Sequence, residues 1–95
     1  MAAYLIADIE VIDPVAFAEY RRLVPPFVEA HGGRYLARGG AAETLEGTWT
    51  PARSIILEFP SMADLKAFHE DPAYQPLREL RERSTRSNLV AIEGV

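Results

Sequence analysis

The sequence predicts an α+β fold: a split βαβ sandwich of order βαββαβ, with a four-stranded antiparallel sheet carrying both helices on one face. Three observations lead there. Four short runs alternate apolar and polar residues with the period of a strand. Two stretches between them repeat apolar residues at helical steps of three and four. The chain has 95 residues, which is room for one core and therefore one domain spanning residues 1–95. In that topology the first and third strands are central, the second lies beside the third, and the fourth lies beside the first.

Tyr4 to Val11 forms the first strand. Leu5, Ala7, Ile9 and Val11 give it a wholly apolar face, and Tyr4, Ile6, Asp8 and Glu10 give it a mixed one. Apolar groups on both faces point to cover on both sides. Asp13-Pro14 opens the first helix with a capping carboxylate and a proline at the first helical position. Phe17, Tyr20, Leu23, Val24, Phe27, Val28 and His31 form its buried stripe. Pro25-Pro26 interrupts the stripe by removing the donors that would reach the carbonyls of Arg21 and Arg22. Val24, which precedes a proline, is expected to leave helical geometry. Helix resumes until Gly32, with His31 in the last turn as a cap whose charged form the helix dipole favours.

Gly32-Gly33 stops that helix, and Gly39-Gly40 ends the strand that follows, Arg34 to Arg38. Strict alternation sends Tyr35 and Ala37 to one face and Arg34, Leu36 and Arg38 to the other. The connection from Gly39 to Ala52 is longer than a hairpin needs. Leu45 and Trp49 give it apolar groups with which to fold over a neighbour or rim a pocket. Arg53 to Phe59 is the third strand, with Ile55, Leu57 and Phe59 opposite Ser54, Ile56 and Glu58. Ser61 and Asp64 then form a capping pair, and Met62, Leu65 and Phe68 line a short second helix. Asp71-Pro72 ends it. Pro76 begins a further helical piece through Leu77 and Leu80 to about Ser84, and Asn88 to Val95 is the fourth strand.

Composition removes several function classes. Net charge is −4, with 14 acidic and 10 basic residues, so no broad cationic surface exists for nucleic acid. The arginines from Arg78 to Arg86 are interleaved with Glu79 and Glu82 and read as a salt-bridged, solvated helix surface. Cysteine is absent, which excludes disulfides and thiolate chemistry. No run approaches the ~18 apolar residues of a membrane helix and no leader precedes the first strand, so a soluble cytoplasmic protein without a membrane partner is expected.

The face of the sheet away from the helices is expected to present Asp8, Arg38 and Glu58 among Tyr4, Ile6, Leu36 and Ile56. A surface both apolar and charged suits a contact, and a two-fold homodimer through this face is the simplest closed arrangement.

The stretches Y-L-I-A-D-I-E-V, G-G-R-Y-L-A-R-G-G, E-F-P-S-M-A-D-L-K-A-F and Y-Q-P-L-R resemble the small proteins called domain of unknown function 1330, over nearly the whole chain. The nine-residue central motif is the most specific part. The resemblance implies the dimeric α+β barrel superfamily, in which ferredoxin-like subunits join their sheets into a barrel. That superfamily includes cofactor-free monooxygenases, muconolactone isomerase-like enzymes, haem-binding members and proteins with no known activity. It brings no catalytic set with it. The function expected is a homodimeric small-molecule-binding protein, or a cofactor-independent enzyme of monooxygenase or isomerase type acting on a small oxygenated or aromatic compound. The alternative is a structural or regulatory dimer whose charged sheet face is only an interface.

Two constellations carry the candidate chemistry. In the first, Arg38 orients an anionic or carbonyl-bearing molecule while Glu58 or Asp8 serves as base. The same three residues suit still better an ion-pair network that fixes the dimer. In the second, Tyr20, His69 and Tyr74 converge between helices and sheet, where the break at Pro25-Pro26 widens the space. His69 suits acid–base work at neutral pH, and suits an exposed position beside Glu70 and Asp71 as well. Tyr20, Arg38 and Tyr74 are the candidate substrate-binding residues. Two distant histidines without an H-E-x-x-H motif give no metal site, and no glycine-rich nucleotide signature or nucleophile elbow around Ser61 or Ser87 occurs. No cofactor is expected.

Overall fold

A computed structural model describes residues 1–95. The elements follow in the order β1 (Ala3–Val11), α1 (Pro14–Leu23), α2 (Pro25–Ala30), β2 (Arg34–Arg38), β3 (Ser54–Phe59), α3 (Met62–Glu70), α4 (Gln75–Ser84) and β4 (Thr85–Glu93). The strands pair antiparallel in the order β2-β3-β1-β4, which is the ferredoxin-like α+β arrangement. Leu5, Ala7 and Ile9 of β1 and Leu57 and Phe59 of β3 meet Phe17, Tyr20, Val28, Leu65, Phe68 and Leu77 from the helices in one core. Gly33 admits the chain between two of these groups, since a Cβ there would stand 2.6 Å from Phe59 Cε1 and 2.8 Å from Val28 Cγ1. No helix is long and apolar enough to cross a membrane.

The two prolines break the first helix as expected, but Val24 does not leave helical geometry. Its φ of −73° and ψ of −31° are those of a helix. Val24 is buried, its N–H donates to the Tyr20 carbonyl at 3.0 Å, and its own carbonyl accepts from Phe27 and Val28. Core packing and three hydrogen bonds outweigh the local disfavour imposed by Pro25. The cost of the prolines falls instead on the carbonyls of Arg21 and Arg22, which lose their helical donors.

β4 begins three residues before the expected Asn88 and ends at Glu93. The reason lies at the end of α4. Ser84 Oγ donates to the Leu80 carbonyl at 2.6 Å and Thr85 Oγ1 donates to the Arg81 carbonyl at 2.7 Å. Side-chain hydroxyls satisfy helix-end carbonyls that a connecting turn would otherwise serve, so helix passes directly into strand.

β2 carries the largest departure from the sequence pattern. Tyr35 pairs with Leu57, yet Ala37 pairs with Ile56 and Arg38 with Ile55, so Leu36 is an extra residue in a β-bulge. One inserted residue reverses the facing of everything after it. Arg34 stays on the outer face, whereas Arg38 turns to the helix side and leaves Asp8 and Glu58 behind.

The connection between β2 and β3 is tied to β1. Asp8 Oδ1 accepts from the Ala52 N–H at 2.9 Å and the Arg53 N–H at 3.3 Å, and Asp8 Oδ2 accepts from Trp49 Nε1 at 3.4 Å. Leu45 and Trp49 remain exposed.

Candidate functional site

The bulge in β2 and the prolines between α1 and α2 together place one side chain. Arg38, turned inward, donates from Nη2 to the Arg21 carbonyl at 2.6 Å, the acceptor that Pro25 had left without a helical donor. Its guanidinium also stacks 4.5 Å from the centroid of Tyr35, the other inward side chain of β2. Arg38 therefore closes the gap between β2 and α1 with both of its functions engaged.

Beneath it lies a cavity of about 40 Å³, several times the ~10–15 Å³ that one water requires. Leu5, Ala7 and Ile9 form its floor on the sheet; Phe17, Tyr20, Tyr35, Phe68 and Tyr74 give it aromatic walls. The mouth shares Phe17, Arg21 and Arg53 with a surface groove along α1. The charged groups lining the cavity are Arg21, Arg38, Arg53 and Arg81, and no carboxylate or histidine is among them.

Tyr20 and Tyr74 meet inside this space with their hydroxyl oxygens 2.7 Å apart. Burial pushes the Tyr20 phenol far above the ordinary range, reinforced by Tyr74 and opposed by the positive charge of Arg81. Tyr35 is raised as well, first by burial, with Arg38 pulling the other way. These phenols stay protonated at neutral pH. Of the two hydroxyl protons in the pair, one serves the mutual bond and the other is free to point at a ligand. The cavity thus offers donors and positive charge in apolar surroundings, which suits binding an oxyanion and not abstracting a proton.

The structure brings Tyr20, Arg38 and Tyr74 to one cavity. It does not bring Asp8, Arg38 and Glu58 together. Glu58 lies on the outer face, where its Oε1 accepts from Arg34 Nε at 2.7 Å and it stands opposite Tyr4 across β1 and β3. Arg34 and then Tyr4 keep its carboxyl below the usual range. Asp8 anchors the β2–β3 connection. His69 lies at the end of α3, outside the cavity lining. Burial lowers its imidazole, with Arg78 and Arg81 adding to the shift. His31 stands at the C-cap of α2 as expected, and its Nε2 engages Asp71 across 2.8 Å, a bond that lowers the Asp71 carboxyl.

Arg53 and Arg81 escaped the sequence reading. Arg53 precedes β3 in the same two-residue phase as Ile55 and Leu57, the residues that face the helices. Arg81 is the sharper correction, because the run from Arg78 to Arg86 is not uniformly solvated: Arg81 is 5% exposed. Leu77, Arg81 and Ser84 follow the helical steps of one buried face, and that spacing was the available signal.

The outer face is a second surface. Across β2, β3, β1 and β4, one row reads Arg34, Glu58, Tyr4, Ile92 and the next reads Ala37, Ile56, Ile6, Val90. An ion pair beside a phenol thus borders an apolar band.

A family model described as Domain of unknown function (DUF1330) matches residues 2–95. Among solved structures, a protein of unknown function from Rhodopseudomonas palustris is similar at 21% identity and a TM-score of 0.80, covering 99% of this chain and 82% of that one. A dimeric ferredoxin-like protein of unknown function from Jannaschia sp. CCS1 is similar at 17% identity and a TM-score of 0.71, covering 99% and 100%. SnoaB, a cofactor-independent oxygenase from Streptomyces nogalater, is similar at 11% identity and a TM-score of 0.67, covering 99% and 93%. At these identities the likeness is one of fold. No curated protein matches the sequence.

Proposed function

The chain belongs to the family described as Domain of unknown function (DUF1330), and from that premise we propose that it is a homodimer that binds a small, largely apolar oxygenated or aromatic molecule between its helices and its sheet. One observation carries the reading: an apolar cavity with the Tyr20–Tyr74 hydroxyl pair inside it and arginines around it. On this reading the protein acts as a cofactor-independent enzyme of monooxygenase or isomerase type. Both reaction types pass through an enolate or phenolate, and the oxygen of either needs fixed donors in a dry site. The free phenol proton and the arginines are such donors. The cavity lining holds no carboxylate or histidine, so an acidic phenol or enol enters with its proton already passed to water. SnoaB, with the same fold, is by its description a cofactor-independent oxygenase, which is compatible with this reading.

Filling the cavity tests the proposal. Ala7 is buried on its floor. Ala7→Leu is expected to cost about 1–3 kcal/mol of stability through overpacking and to weaken binding of small aromatic probes at least tenfold, read by saturation-transfer NMR on protein shown to be folded. Unchanged probe binding in a folded Ala7→Leu protein would place the site elsewhere.

A further inference from the structure

Arg81 is the one buried cavity arginine whose charge has no visible counterpart; Arg21 is exposed to solvent. Arg38 has the Arg21 carbonyl and the Tyr35 ring, and Arg53 has the face of Phe17 with its Cζ 5.5 Å from the centroid. Arg81 is 5% exposed, its Nε has no hydrogen-bond partner, and it takes part in none of the ion pairs. A guanidinium does not shed its proton when buried, so it cannot escape the penalty by neutralising. Left alone it destabilises the fold, because a buried charge is tolerated only when something pairs with it. The protein supplies no acid in the cavity lining. A ligand entering the cavity can supply the missing counterpart.

We propose that Arg81 anchors the anionic group of the ligand, and that the molecule taken up is a small aromatic carboxylate lying with its head on Arg81 and its ring among Phe17, Tyr20, Tyr35 and Tyr74. The guanidinium fork matches the two oxygens of a carboxylate. Arg81 and the Tyr20–Tyr74 pair line the same cavity, and the positive charge of Arg81 opposes the upward shift of the Tyr20 phenol. The aromatic walls supply contact to a flat body. Arg21 and Arg53 at the mouth favour entry of an anion over a neutral molecule. The inference rests on the cavity being the small-molecule site, and its test separates the two claims.

Benzoate and benzamide, equal in shape and different in charge, serve as probes in calorimetric or NMR titrations of the full chain at neutral pH. Wild-type protein is expected to bind benzoate at least tenfold more tightly than benzamide. Arg81→Met keeps the stem and removes the charge. It should bind both probes alike and, without any probe, melt several degrees higher than wild type. Arg81→Lys keeps the charge without the fork and should retain a reduced preference. Equal binding of the two probes by wild type would overturn the anion assignment and leave the cavity reading intact, whereas binding of neither would overturn both. A benzoate preference that survives Arg81→Met would put the anion elsewhere. An Arg81→Met protein that melts lower or fails to fold would show that the guanidinium already has its partner within the fold, which also overturns the proposal.

Discussion

In the homodimer proposed above, Ile6→Glu is expected to leave only monomer. Ile6 sits in the middle of the outer sheet face, 39% exposed, between Ile56 of β3 and Val90 of β4. Val90 is 59% exposed, and Ile92 and Leu36 are also open to solvent on the isolated subunit. Contiguous apolar surface of this kind on a sheet marks a contact, and the neighbouring Arg34–Glu58 pair gives it a polar border. In a two-fold interface every residue is used twice, so the substitution buries two carboxylates without partners. Each costs several kcal/mol. At about 1.4 kcal/mol per tenfold, dissociation should strengthen on the order of a thousandfold or more. Val15, 84% exposed on α1, provides the control, because Val15→Glu adds the same charge away from the sheet. Sedimentation velocity over a micromolar concentration series reads both. A dimeric Ile6→Glu protein would remove the sheet face from the account of assembly.

The second large effect is expected at Tyr74. It is 1% exposed and the largest fully buried side chain, with its ring centroid 4.6 Å from Phe68, 6.1 Å from Phe27 and 6.5 Å from Tyr20. Tyr74→Ala removes a ring from the junction of three helices and should cost about 3–5 kcal/mol, a large part of the ~5–15 kcal/mol that holds a domain together. Tyr74→Phe separates the ring from its hydroxyl. It leaves Tyr20 without its 2.7 Å partner and should cost about 1–3 kcal/mol. Adding Tyr20→Phe is expected to cost little more, because the buried hydroxyl without a partner is then gone too. Urea titrations of wild type, Tyr74→Phe, Tyr20→Phe and the double variant give the coupling directly. Strictly additive losses would mean that the two hydroxyls do not support each other.

The sequence read well wherever a single periodicity decides the structure. The strand faces of β1 and β3, the stripe through Phe17 and Tyr20, and the capping by Asp13 and Ser61 all follow from spacing and side-chain chemistry. It read poorly where one residue shifts a phase. Nothing in Tyr35-Leu36-Ala37 announces a bulge, since none of the three is glycine, and the pairing with β3 alone reveals it. The error travelled to Arg38 and assembled a cluster with Asp8 and Glu58 that the sheet does not contain. Arg81 was obscured differently, because alternating charges on α4 resemble a solvated surface until Leu77 and Ser84 are seen to share its face. Convergence of Tyr20 and Tyr74 was legible as a possibility of the topology, but their hydroxyl contact depends on packing between α1 and the start of α4, which no local pattern encodes.

The central claim is that a ligand enters on the helix side of the sheet. Backbone amide chemical shifts of uniformly ¹⁵N-labelled protein, followed while benzoate is added, locate it without a substitution. Saturable shifts are expected at Ala7, Tyr20, Tyr74 and Arg81, with Ile6, Ile56 and Val90 on the opposite face unmoved. Shifts confined to that opposite face, or shifts that never saturate, would contradict the claim.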